Sequence, residues 1–409
     1  MIPPMQQYSQ QATKYLQRIG QGVLSKPQQR HLVMFVLALI VSNLRRTFTN
    51  QARLFGYDRD ASCITRFLTE APWEALRLLT NNQAQLSKMI ARQPAKEPIR
   101  LLIDDTATHK YGTKMESISR HYNDGKIRWG HCKVTLFLCC GNLRAPYDSR
   151  LYVTKSTAAA EGWPFYTKLE LACQMLDGFI APKGRPVMVM FDSFYTSKKL
   201  LKYIHHERKW EFLARIESDR KVGWRGRPWA VTDLAAQRPV HSWVPLRLES
   251  HDYVGRKFKV GLWCEIPGSL ITACDPDDSE KVHYYITNRR DLSAASVVRL
   301  YQRRWYIETY HRDVKQLLGL AHYQLRSRLG LLRYWLLVDV AYCVLRLQTC
   351  WAAEKQTDDT AVLTLGQLRE QVQLEAKREE IRAVIKVWKE TNDYEAAFKV
   401  AGCLLAKSA

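Results

Sequence analysis

The sequence predicts an α/β protein with a mixed sheet, helical regions at both ends and a β-rich insertion late in the chain. Three observations predict it. Short apolar runs such as IRLLIDD (99–105) and VMVMFD (187–192) alternate with helix-patterned segments, as strands buried on both faces do. The first 95 residues carry helical periodicity throughout, and residues 217–280 break into short Trp- and Arg-rich runs separated by turn residues.

Taken in order, residues 1–95 form a helical, basic unit with twelve Lys/Arg against four Asp/Glu, closed by the linker-like RQPAKEP at 92–98. Its apolar run LVMFVLALIV (32–41) is about half the length a membrane-spanning helix needs, so it predicts a core helix and no membrane partner. The first part of the core, 96–216, holds strands at 99–105, 133–140 and 150–156 and a helix at 166–180. A strand at 187–192, a helix at 197–209 and a short strand at 210–216 complete it. Residues 217–280 are the β-rich insertion, expected outside the sheet. The second part of the core, 281–350, is helical from 292, with one helix through YQRRWYIETYHRDVK (301–315) and another at 331–347. Residues 351–409 form an amphipathic helical tail.

The formal net charge of +22 points to a polyanionic partner. Residues 354–409 hold nine Lys/Arg against ten Asp/Glu, so the tail sits near −1 and the rest near +23. The N-terminus lacks the basic-then-apolar layout of a secretory signal, and the ten cysteines contain no CxxC pair. A reduced, cytoplasmic protein without a zinc site is expected.

Two of the apolar strands end in acid: Asp104 and Asp105 on the first, Asp192 on the later one. Ligands gather at the carboxyl ends of strands in open α/β sheets, although an Asp before Thr or Ser is also an ordinary turn residue. Glu308 stands alone among aromatic and basic residues. On a continuous helix Tyr301, Arg304, Glu308 and Lys315 share one stripe, while Leu300, Ile307, Val314 and Leu318 share another. Three carboxylates converging on divalent cations suit phosphodiester cleavage, in which two ions activate the attacking oxygen and stabilise the leaving one. Hard oxygen donors select Mg²⁺ or Mn²⁺. Arg304, Lys315 and Tyr301 would then hold the DNA backbone.

The spacing Tyr301, Arg304, Glu308, Lys315 resembles the YREK signature of bacterial insertion-sequence transposases with a DDE triad. IDDT followed by HKYG resembles that group's first-aspartate motif, FDSFYTSKKLL its second, and RRWYIETYHRDVKQLLGL with YQLRS its third. The similarity spans about residues 99–350. It implies an RNase H-like core interrupted by a β-strand insertion, and a cut-and-paste transposase acting on terminal inverted repeats and target DNA. It also implies a hairpin intermediate, a homodimer on DNA in the bacterial nucleoid, and Asp105, Asp192 and Glu308 as catalytic metal ligands. Asp105 is preferred to Asp104 on the resemblance alone, because the strand pattern buries both faces. The resemblance further suggests an insertion aromatic that receives an unstacked base, with Trp224, Trp229, Trp243 and Trp263 as candidates. His109 and His131 near the first acid, and Arg45 and Arg46 in SNLRRTF, are weaker candidates for phosphate contact, a structural role being commoner for each. A DNA-binding regulator without activity and a nuclease without strand transfer are the competing classes.

Overall fold

The computed structural model describes residues 10–43, 45–54, 62–112, 114–123, 125–237, 243–246, 252–353 and 363–396. Among the described residues the chain opens with the helices α1 (Gln10–Gly20), α2 (Lys26–Val41), α3 (Phe48–Leu54), α4 (Ser62–Thr69) and α5 (Ala75–Arg92). α2 starts where Ser25 and Gln28 close a reciprocal capping box. Its apolar run is buried, with Phe35 edge-on to Tyr334 from a later helix, so a core helix is what that run makes. Among the described residues no helix is long and apolar enough to cross a membrane.

The sheet begins with β1 (Ile99–His109), β2 (Ser119–Asn123), β3 (Lys126–Cys140) and β4 (Leu143–Tyr152). Helices α6 (Lys155–Glu161) and α7 (Lys168–Asp177) lead to β5 (Val187–Phe191). Next, α8 (Lys198–Lys202) runs into a π turn (Tyr203–Glu207) and then β6 (Glu211–Arg215). The strands lie in the order β4, β3, β1, β5, β6. β3 is antiparallel to β4 and β1, while β1, β5 and β6 run parallel. Hairpin connections serve the antiparallel half, and helical crossovers serve the parallel half, as chain connectivity requires. This is an RNase H-like mixed sheet.

The insertion contributes β7 (Lys221–Trp224), β8 (Arg227–Ala230), α9 (Val231–Ala236), β9 (Val244–Leu246), β10 (Tyr253–Leu262), β11 (Ile266–Asp275) and β12 (Asp278–Thr287). It is β-rich, as the sequence predicts, but it does not stand outside the sheet. β12 pairs antiparallel with β6 through Tyr285↔Arg215, Ile286↔Ala214 and Thr287↔Leu213, and β11, β10, β7 and β8 continue outward. Without β12, the apolar strand β6 would be an open edge, which proteins avoid leaving bare.

Among the described residues the helices α10 (Ala294–Gln302), α11 (Trp305–Gln316), α12 (Arg328–Ala353) and α13 (Leu365–Thr391) follow. The single helix expected through 301–315 is two helices joined at Arg303 and Arg304. Each serves a different surface: α10 packs on β6, β10 and β11, and α11 on β1 and α12. α13 lays Leu365, Leu368, Val372 and Ala376 into the core against α2 and α12, and Arg369 donates to Ile40 O at 2.8 Å.

Candidate active site

Successive side chains of a strand point to opposite faces, so β1 sends Asp104 and Asp105 apart. On one face, Asp104 Oδ2 accepts a hydrogen bond from Arg304 Nη1 at 3.3 Å, and Arg304 Nη2 donates to Glu308 Oε1. Arg304 immediately precedes α11 and Glu308 lies one turn along it. The parallel register Leu102↔Met190, carried two residues forward, sets Asp104 level with Asp192 just past the end of β5. Residues level with each other on parallel neighbours share a face. Asp192 Oδ1 accepts from Tyr195 N at 3.3 Å.

On the other face Asp105 is fully engaged. Its Oδ2 meets Lys168 Nζ at 2.6 Å and Cys132 Sγ at 3.3 Å, and its Oδ1 accepts from Tyr195 Oη at 2.8 Å. Tyr195 therefore links the two faces, its backbone on Asp192 and its hydroxyl on Asp105.

The electrostatics follow the geometry. Burial pushes the Asp104 carboxyl up to about 7, with Arg304 pulling it back and the neighbouring Asp192 and Asp105 adding to the rise. Asp192 is raised for the same leading reason and is likewise opposed by Arg304. Arg304, mostly buried, thus acts on Asp104, Asp192 and Glu308 together. His311 Nδ1 lies 3.9 Å from Asp104 Oδ2, but burial drives the imidazole well below its ordinary range, so this contact joins a neutral ring to the acid.

Of the residues singled out from sequence, Asp104, Asp192, Arg304 and Glu308 come together, and Asp105 turns to Lys168 and Tyr195. Tyr301 is buried on α10, its hydroxyl donating to Phe191 O at 3.4 Å and its ring 4.9 Å from that of Tyr285. It packs the end of β5 and presents little surface to DNA, its ring lying 5.8 Å from the Arg304 guanidinium. Lys315 is half-buried in the last turn of α11 and acts electrostatically on His311. His131 is enclosed, with Nδ1 2.8 Å from Tyr323 Oη and Nε2 2.9 Å from Glu116 O, which leaves no ring nitrogen for phosphate. Arg46 is also internal, donating to the carbonyls of Leu39, Ser42 and Leu317, whereas Arg45 is exposed. Trp243 is buried, while Trp224, Trp229 and Trp263 are half-buried, the first two edge-on to each other at 5.4 Å.

Three residues of this neighbourhood escaped the sequence reading: Lys168, Tyr195 and His311. Two had a signal. His311 follows Glu308 by three residues, one helical turn, and Tyr195 follows Asp192 by three, the spacing of an Asp side chain that caps a turn.

Among the described residues no three His, Cys, Asp or Glu side chains stand close enough to enclose one ion. The donor set nevertheless suits a hard cation. Asp104, Asp192 and Glu308 offer only carboxylate oxygens, two of them are desolvated, and a guanidinium bridges two of them.

An RNase H-like sheet that carries one acid within β1, a second just past β5 and a third on a helix packed against β1 defines a nuclease-type enzyme. The chain belongs to the DDE superfamily endonucleases, whose family profile matches residues 20–240. A transposase DDE domain profile matches residues 167–344. The chain is also 27% identical over 187 residues to the probable transposase for insertion sequence element IS701 from Microchaete diplosiphon. That match covers 44% of this chain and 47% of the relative, about half the length of each.

Proposed function

We propose that this protein is an insertion-sequence transposase that cuts duplex DNA at the element's terminal repeats and joins the freed 3′ ends to target DNA. Asp104, Asp192 and Glu308 would hold Mg²⁺ or Mn²⁺, with Asp104 taking the place that the resemblance gave to Asp105. The observation that carries this reading is the shared Arg304: one buried guanidinium serves Asp104 and Glu308 directly and Asp192 through its charge. Bound divalent ions supply charge for the attacking and leaving oxygens.

The chain's own residues do the rest. With divalent ions held by the three carboxylates, Arg304 would have its two-pronged donor available for the phosphate being cut. Lys315 would follow the backbone about 16 Å further along α11 than Arg304, eleven residues at 1.5 Å each. Asp105, held by Lys168, fixes Tyr195 and thereby the turn that carries Asp192. In cleavage a water oxygen bonds to phosphorus and the 3′ oxygen leaves. In joining, that 3′ hydroxyl attacks a target phosphorus and displaces the target's own 3′ oxygen. The resemblance adds a hairpin on the cut end and two copies acting on one pair of ends.

The test is a supercoiled plasmid carrying this gene with its native flanks, incubated with purified protein and Mg²⁺ or Mn²⁺. Excised and rejoined products are scored, and hairpin ends are read on denaturing gels. Asp104→Asn, Asp192→Asn and Glu308→Gln should each abolish cleavage. Asp105→Asn should retain it at a rate about 10–100-fold down, the usual cost of losing a supporting contact behind a ligand. Equal loss in Asp104→Asn and Asp105→Asn would restore Asp105 as a ligand, and cleavage without joining would leave a nuclease.

A further inference from the structure

β2 and the first residues of β3 form a two-stranded ribbon that leaves the body of the sheet. β2 pairs only with β3, through Arg120↔Trp129, His121↔Arg128, Tyr122↔Ile127 and Asn123↔Lys126, and it ends the strand order. The ribbon breaks the inside-outside rule of the strands it extends. From Lys126 to Trp129 four consecutive residues are exposed, then from Gly130 to Cys140 every residue is buried. Tyr122 is 76% exposed, Ile127 68% and Trp129 36%. Large apolar side chains at this exposure on a paired ribbon mark a contact surface.

Strand alternation sorts the side chains. Arg120, Tyr122, Ile127 and Trp129 share one face, on which the Arg120 guanidinium lies 5.1 Å from the centre of the Trp129 ring. Lys126 and Arg128 share the other. Over residues 119–130 three Lys/Arg stand against a single acid, Asp124. Cations interleaved with flat rings are the chemistry that holds phosphate and sugar, and a two-stranded ribbon has the width a duplex groove admits.

Position selects the occupant. The ribbon projects beyond the carboxyl end of β1, past Thr108↔His131 and His109↔Gly130, at the end of the parallel strands where Asp192 stands. From Thr135, which pairs with Asp104, back to Arg128 is seven residues, or roughly 23 Å at 3.3 Å per residue, which corresponds to about seven base pairs of duplex. We propose that the β2–β3 ribbon is a DNA-gripping finger, seated in a groove of the duplex about seven base pairs from the phosphodiester being cut. This inference rests on the reading of the acid cluster as a DNA-cleaving site.

The experiment uses the full chain and a random-sequence 40-base-pair duplex in Ca²⁺, with affinity measured across a salt series. Lys126→Gln/Arg128→Gln should lower the slope of log affinity against log salt by about two units, and Trp129→Ala should weaken binding about 10-fold at every salt concentration. All three side chains are exposed, so melting temperatures should stay at the parent value, which separates a lost contact from a lost fold. A slope within half a unit of the parent's overturns the finger while leaving the cleavage reading in place. Failure of the parent itself to bind the duplex overturns both. Sedimentation velocity run alongside supplies the remaining outcome: a change in oligomeric state with DNA binding unaltered would make the ribbon an interface between copies and refute the proposal.

Discussion

Lys133 has no exposed side-chain surface, yet it carries a charge in the middle of the protein. Its Nζ donates to Asp339 Oδ1 at 2.5 Å and to Tyr310 Oη at 2.7 Å, and Asp339 Oδ2 accepts from Ser149 Oγ at 2.9 Å. These four groups come from β3, α12, α11 and β4, and Tyr310 follows Glu308 by only two residues on α11. The cluster therefore seats the helix that aims Glu308 at the aspartate strand. Burial lowers the Lys133 pKa, and Asp339 is the chief influence holding it up. Removing Asp339 strands an ammonium in a dry site, at a cost of about 3–5 kcal/mol. Replacing both partners removes both charges, so Lys133→Met/Asp339→Leu should come within about 1 kcal/mol of the parent or exceed it.

The assay is thermal and urea unfolding of parent, Lys133→Met, Asp339→Leu and the double variant. At about 2 °C or less per kcal/mol for a chain of this size, Asp339→Leu should melt about 6–10 °C low. The double variant should recover most of that loss, a coupling of at least about 3 kcal/mol. If the double variant is as unstable as the sum of the singles, the pair is not the coupled unit described, and its hold on α11 has no energetic basis.

Other outcomes follow from the same contacts. Arg304→Ala leaves Asp104 buried without its cation, so the metal-free protein should lose about 2–3 kcal/mol, and added Mg²⁺ should restore part of the loss in a melting experiment; unchanged stability would make the bridge a solvated surface pair. Burial holds the His131 imidazole down at about 4, well below its ordinary 6.5, so the stability from keeping it neutral is complete above pH 6.5 and fades as pH falls toward 4. That contribution is about 3 kcal/mol, and melts at pH 7 and pH 4.5 should show a shallower pH dependence for His131→Gln than for the parent; parallel profiles would contradict it. Lys315→Ala should reduce the salt slope of duplex binding by about one unit and leave Mg²⁺-dependent cleavage at saturating DNA within a few-fold of the parent, a pattern that gel-shift titration and single-turnover cleavage would test together.

What the sequence made legible is what one strand or one helix decides by itself. An apolar run ending in acid announces β1 and β5 with Asp104, Asp105 and Asp192, because two buried faces require a continuous apolar run and the acid can stand only where that run stops. Of the apolar stripe Leu300, Ile307, Val314 and Leu318, the last three were equally readable and are fully buried, while Leu300 sits half-buried on α10. What stayed hidden depends on a second element. Which of two adjacent aspartates faces Glu308 is set by the register of β1 against β5 and by the side on which α11 packs, and neither is encoded in the run IDD. The break at Arg303 was hidden for the same reason. Tyr301 answers to Tyr285 on β12, Ile307 answers to the core beneath α11, and a uniform helical period cannot reveal that its two halves have different partners.

The same limit explains the most consequential miss. Lys133 reads in sequence as one more cation in a chain with 62 Lys/Arg, and composition directs every such residue toward a polyanion. Its neighbours on β3 say otherwise: Cys132 and Val134 are buried on either side, so the strand has no solvent face there and a lysine must find its counter-ion inside. That counter-ion, Asp339, lies in the apolar helix segment LLRYWLLVDVAYCVLRL, where a lone acid has no solvent face either. Each residue is anomalous alone, and two anomalies of opposite sign in separate buried segments are reason to pair them. Applied to the active site, the same reasoning turns around. Arg304 is a buried cation with more carboxylates around it than it can neutralise, and that surplus of negative charge is what a divalent ion would relieve. Asp339 has one cation and two hydroxyl donors, its charge is balanced without metal, and so it belongs to the scaffold.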